Sequence, residues 1–224
     1  MTNSVLFEEQ IEIPFVQSLV DFRAWATSDD FPERGRIDFI AGRIEVDMSP
    51  EDVFAHGTLK TEIVGALRNI VKADGLGQLL SDRTRVSCPE ADLSVEPDIV
   101  FIAEESLNSG RVRLVPKASM EPDRYIELEG PPDLIVEIVS DSSVAKDTRR
   151  LPAAYARAGV CEFWLADARG GSVLFQIHHA GPTAYQPAAP DADGFQYSNV
   201  LERWFRLTRE RSAHGRWAYD LQAR

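Results

Sequence analysis

Two carboxylates stand inside apolar strand sequence. Glu137 interrupts Leu134-Ile135-Val136-Glu137-Ile138-Val139, and Asp98, after Pro97, opens Ile99-Val100-Phe101-Ile102. A carboxylate in such a setting is costly to bury unless it is paired or binds a cation. Two of them entering one sheet can jointly hold a divalent ion. Mg2+ takes one or two carboxylates together with waters and phosphate oxygens, and such an ion activates water and stabilises charge on a phosphodiester. The competing reading is structural: Asp98 caps a turn and Glu137 pairs with a buried arginine. Asp133, behind Pro131-Pro132, reads as the end of a loop. Asp38 falls on the polar face of a hairpin, where a lone aspartate is solvated. His56 sits early in a long helix and could point at the same cleft, although a single histidine is more often structural than catalytic; His178, His179 and His214 show no ligand spacing. No Walker-type glycine loop, GxGxxG, HExxH or GxSxG occurs. Ser140, Ser142 and Ser143 have no nearby histidine and read as a turn entering a helix.

The elements that must position these residues follow from periodicity. Leu19, Phe22 and Ala26 predict a helix over 14–30, and residues 36–48 alternate as a hairpin turning at Ala41-Gly42. Ser49-Pro50 reads as the cap of a helix that carries Leu59, Ile63, Leu67, Ile70 and Val71 on one face and stops at Gly75. Strands are expected near 78–87 and 98–103, a central buried strand over 133–139, a helix over 144–158, and strands over 161–167 and 172–178. Residues 180–195, rich in Ala, Pro, Gly and Asp, read as a surface loop. The tail from Ser198 packs Leu201, Trp204, Phe205 and Leu207 back on the body. There is no internal repeat, so the fold class is a single α/β domain with a mixed sheet flanked by helices.

Composition bounds the function. The 224 residues hold 24 Lys+Arg and 36 Asp+Glu, a net charge of −12, and 44 % are hydrophobic. That excludes wholesale disorder. No run of about 18 apolar residues exists to span a membrane, and MTNSVLFEEQIEIPF lacks the basic-then-apolar order of a leader. Cys88 and Cys161 lack ligand spacing; one disulfide would be allowed, but they read as two buried thiols of a reducing cytoplasm. The acidic balance opposes broad attraction to nucleic acid but permits a local basic rim, for which Arg83, Arg85, Arg111, Arg113, Lys117, Arg203, Arg206, Arg209, Arg211 and Arg216 are candidates.

Taken together, Glu96-Pro97-Asp98-Ile99-Val100-Phe101, Pro132-Asp133-Leu134-Ile135-Val136-Glu137-Ile138-Val139-Ser140, Asp147, Tyr155-Ala156-Arg157-Ala158-Gly159-Val160 and Glu162-Phe163-Trp164-Leu165-Ala166-Asp167 resemble the bacterial Uma-two-type family of restriction endonucleases, within the PD-(D/E)xK nuclease superfamily. The hairpin at Ile37-Asp38-Phe39-Ile40 and the segment Met48-Ser49-Pro50 with His56 are similar too, so the resemblance spans about 15–208. It implies a restriction-endonuclease-like core and a Mg2+- or Mn2+-dependent endonuclease that hydrolyses DNA with a metal-activated water, by analogy as a homodimer. It also implies Asp98 and Glu137 as metal ligands, the Ile138 carbonyl beside them, and Asp38 as a third acidic group. One departure matters. The family lysine falls four residues after the aspartate matching Asp147, which here is Leu151. A one-residue shift puts Arg150 in its role, and Lys146 is a second candidate. If neither serves, the alternative is a catalytically impaired homologue that binds nucleic acid or a protein.

Overall fold

The computed structural model describes residues 12–32, 34–117 and 122–224. The reading of the leader therefore falls largely outside the described residues. In chain order the elements are α1 (Leu19–Ala26), β1 (Arg36–Ile40), β2 (Arg43–Asp47), α2 (Leu59–Asp74), β3 (Gly77–Ser81), β4 (Arg85–Cys88), β5 (Leu93–Val95), β6 (Ile99–Ala103), α3 (Glu104–Asn108), β7 (Arg113–Pro116), β8 (Tyr125–Glu129), β9 (Leu134–Ile138), α4 (Leu151–Ala158), β10 (Glu162–Asp167), β11 (Leu174–Ala180), β12 (Tyr185–Pro187), β13 (Gln196–Ser198), β14 (Arg203–Arg211) and β15 (Trp217–Ala223).

Three sheets form where one was expected. The first runs β2-β1-β5-β4-β8-β7, the second β12-β11-β10-β9-β6-β3, and the third β13-β14-β15. The second is the middle layer. Its strands alternate sides, so Ile99, Phe101, Val136 and Trp164 meet α2 and the third sheet, while Val100, Ile135 and Phe163 meet the first sheet and α4. Covering both faces explains why these strands read as nearly continuous apolar runs. Strand β9 pairs antiparallel with β6 and parallel with β10, α4 supplying the crossover.

The differences from expectation have local causes. Helix α1 is short because Ser18, extended at φ −147°, caps it through the Asp21 N–H. Ser49-Pro50 is not the cap of the long helix. Asp52 takes that part, accepting from the Phe54 and Ala55 N–H groups, and a wide π-turn, Val53–Thr58, precedes α2. The stretch near 78–87 breaks at Asp82 and Arg83, both at positive φ, and its two halves join different sheets. The 180–195 segment contributes β12, and the tail forms a sheet of its own.

Candidate active site

The register places the acidic pair. Ile99 faces Val136 across the antiparallel β6–β9 pair, so Asp98 and Glu137 are the next partners along the ladder. Both are buried. The Asp98 N–H reaches Glu137 Oε2 at 3.5 Å, and the Ile138 N–H donates to Asp98 Oδ2 at 2.8 Å. The Tyr155 hydroxyl of α4 donates to Glu137 Oε1.

Asp98 is surrounded by cations. Arg36 Nη2 donates to Oδ1 at 2.9 Å, Lys60 Nζ lies 3.4 Å from the same oxygen, and His56 Nε2 lies 3.4 Å from Oδ2. Burial alone would raise the Asp98 pKa, but the His56 contact and the charges of Arg36 and Lys60 hold it well below the carboxylate range. Glu137 goes the other way. Burial, then the neighbouring Asp98 and Asp147, push it well above 4.5. Asp147 is raised to about 6, chiefly by burial. One acid of the pair is thus held ionised while the other favours its proton.

The remaining candidates divide. Asp38 is buried, not solvated as its polar neighbours suggested. Its Oδ1 accepts from the Glu96 N–H at 3.0 Å and its Oδ2 from Lys146 Nζ at 2.8 Å. Lys146 is itself buried and lies close enough to Glu137 for that charge to raise its pKa, as does Asp38, against the opposing effect of burial. Arg150 is not brought to the carboxylates. Its half-exposed guanidinium bonds Glu45 Oε2 at 2.8 Å. Leu151 is buried in the core between the first two sheets. A π-turn over Lys146–Arg150 carries Asp147 and leads directly into α4. Asp133 ends its loop as expected, accepting from the Ala103 N–H and the Ser106 hydroxyl.

The pair lies behind a cleft of about 740 Å3 whose lining includes Arg36, His56, Lys60, Arg83 and Ile138. Of the expected basic rim only Arg83 lines it; Arg85 is buried against Glu96, and Arg111, Arg113 and Arg203 pair with Asp133, Glu129 and Asp74. Sequence reading missed Arg36, Lys60 and Glu51. Two had a signal: Arg36 shares a strand face with Asp38 at spacing two, and Lys60 shares a helix face with His56 at spacing four. Glu51 had none.

The residues fit a divalent ion. Glu51, His56 and Asp98 each offer a donor atom, all within 4.8 Å of one another, and the buried His56 Nδ1 and Asp147 Oδ1 have no hydrogen-bond partner among the described residues. Glu137 is not one of these three; its two oxygens accept from Tyr155 and the Asp98 N–H.

Among known proteins, residues 19–210 match the family model Uma2, described as "Putative restriction endonuclease". The crystal structure of a "putative nuclease belonging to DUF820" from Anabaena variabilis ATCC 29413 aligns over 83 % of this chain and 90 % of that one, with a TM-score of 0.58 at 18 % identity. That likeness shows the fold, a restriction-endonuclease-like α/β core. No curated protein matches the chain. The family match covers most of the sequence and includes both acidic strands, the Tyr155 helix, the π-turn of His56 and the long helix after it, so the chain belongs to the Uma2 family.

Proposed function

We propose that the protein is a metal-dependent endonuclease acting on DNA. The observation that carries this is the buried Asp98–Glu137 pair on adjacent strands with Lys146 and Asp38 beside it, in a chain of this family. Asp98 would hold Mg2+ or Mn2+, with Glu137 beside it as the second acid of the pair; the ion would supply Lewis-acid polarisation of a phosphoryl oxygen and a lowered pKa for water. Tyr155 fixes the Glu137 carboxyl through its hydroxyl. Asp38 holds the Lys146 ammonium in place, and Lys146 gives positive charge to the phosphate as negative charge grows on it. Arg83, exposed at the cleft, holds a neighbouring phosphate of the strand. Cutting both strands requires two such centres, so a homodimer on DNA is part of this reading.

The test is nicking of supercoiled plasmid with Mg2+, Mn2+ or EDTA by wild type and Glu137→Ala. Metal-dependent nicking that disappears in the variant is the expected result. A second reading has one observation in its favour: Leu151 is buried at the ungapped lysine position and Arg150 is turned to Glu45. If neither protein cuts at low salt with either metal, the chain is a binding module and the nuclease reading fails.

A further inference from the structure

His56 lies between two carboxylates. Its Nε2 is 3.4 Å from Asp98 Oδ2 and its Nδ1 is 3.1 Å from Glu51 Oε2. The residue is only 3 % exposed, and Nδ1 makes no hydrogen bond. A neutral imidazole has one N–H and one lone pair. Between two carboxylates the neutral ring donates to one and turns its lone pair to the other, whereas the protonated ring donates to both; a divalent ion takes the place of that second proton. A cation placed among the three groups removes that repulsion and uses the lone pair. We propose that the divalent ion of this cleft is held through a nitrogen donor, His56, with Asp98 and Glu51 as oxygen donors, and that the site takes a transition ion such as Mn2+ in preference to Mg2+.

The surroundings support the assignment. His56 is carried on the π-turn before α2, a backbone form frequent at functional sites, and Asp52 pins that turn through two N–H groups. Both His56 and Glu51 line the cleft, and Glu51 is half exposed, so an ion from solvent can reach them. Lys60 bonds Glu51 at 3.0 Å and Asp82 at 2.7 Å; an ion that takes Glu51 and Asp98 leaves it Asp82. Mg2+ is matched best by an all-oxygen shell that keeps several waters. An imidazole shifts preference towards the transition ions.

The inference deepens the nuclease reading and rests on it for the reaction alone; ion binding is measured without DNA. Calorimetric titration of the full chain should show one saturable Mn2+ site, tighter than Mg2+ by at least about tenfold. Pulsed EPR of the Mn2+-loaded protein should show a directly coordinated nitrogen. His56→Gln should remove that coupling and weaken Mn2+ by at least about tenfold, the smallest loss seen even for outer partners of a ligand. Should His56→Gln fail to fold, the wild-type spectrum still decides, and Glu51→Gln should weaken Mn2+ while keeping the nitrogen coupling. No saturable Mn2+ site, a bound Mn2+ without nitrogen coupling, or coupling that survives in His56→Gln would each overturn the proposal. Mn2+ bound with the coupling while plasmid stays uncut upholds the site and defeats the nuclease; cut plasmid without the coupling does the reverse.

Discussion

Glu137 is buried beside two acids, and its side chain favours the proton that a metal ligand must lose. Its folded-state pKa is raised above 4.5, first by burial and then by Asp98 and Asp147. Between 4.5 and that higher value the folded chain keeps a proton that the unfolded chain has released. The stability linked to the neutral carboxyl is therefore full below 4.5 and is lost as pH rises through the folded value. Glu137→Gln stays neutral and can still accept from Tyr155. In chelator its Tm should exceed that of wild type near pH 8, and the margin should close as the pH falls towards about 4; a margin independent of pH would contradict the shift. A second residue-scale prediction separates the two cations. Lys146→Met should slow cleavage by about 10²–10³, the usual loss for one preorganised charge. Arg150→Ala, which breaks an exposed pair with Glu45, should change it by no more than about threefold. Equal losses would put Arg150 back in the site. The acidic pair was legible because a carboxylate in an apolar strand needs a partner. Glu51 was not, because a loop glutamate beside proline has no pattern that distinguishes it from a solvated one.

Helices and strands that obey period were found from sequence; what joins them was not. The face of α2 and the apolar runs of β6, β9 and β10 carry their burial in their spacing. The π-turn over Lys146–Arg150 does not: it widens the backbone turn without changing any residue type. The third sheet was read only as a tail packed back on the body because β13 is three residues long and its anchor is a single buried carboxylate in another strand. Glu162 of β10 accepts from Trp164 Nε1 at 2.7 Å, from the Ser198 hydroxyl at 2.6 Å and from the Asn199 N–H at 2.7 Å. It thereby ties β13 and its following turn to the middle sheet. Glu162→Ala orphans three donors, at about 1–3 kcal/mol each, so denaturant unfolding should report a loss on the order of 3 kcal/mol or more. Amide exchange should quicken in β13 and β14 before it does in β6 or β9. A loss below about 1 kcal/mol would show that the third sheet is held by its apolar face alone.

At the scale of the whole molecule, the proposed function asks a chain of net charge −12 to hold DNA. Long-range repulsion slows the encounter at low salt, but at physiological salt the Debye length of about 8 Å confines charge effects to the cleft. The cations there are Arg34, Arg36, Lys60 and Arg83. Arg36 and Lys60 are already committed to Asp98, and Lys60 to Glu51 and Asp82 as well. Arg34 and Arg83 are exposed, and Arg83 is engaged only by the more distant charge of Glu96. Two such cations neutralise two phosphates, and each contributes about −0.9 to the slope of log K against log salt. Binding of a catalytically blocked variant, Glu137→Gln, to duplex DNA should therefore show a slope near −2, with affinity in a range readily lost above physiological salt. Arg83→Ala should reduce that slope by about one. A slope of about −6 or steeper would require phosphate contacts from a much larger surface. Such a surface would need the arginines now paired with Glu45, Asp74, Glu129 and Asp133 to release those carboxylates on binding. The slope thus decides between a small preformed phosphate site and a surface that rearranges around the nucleic acid.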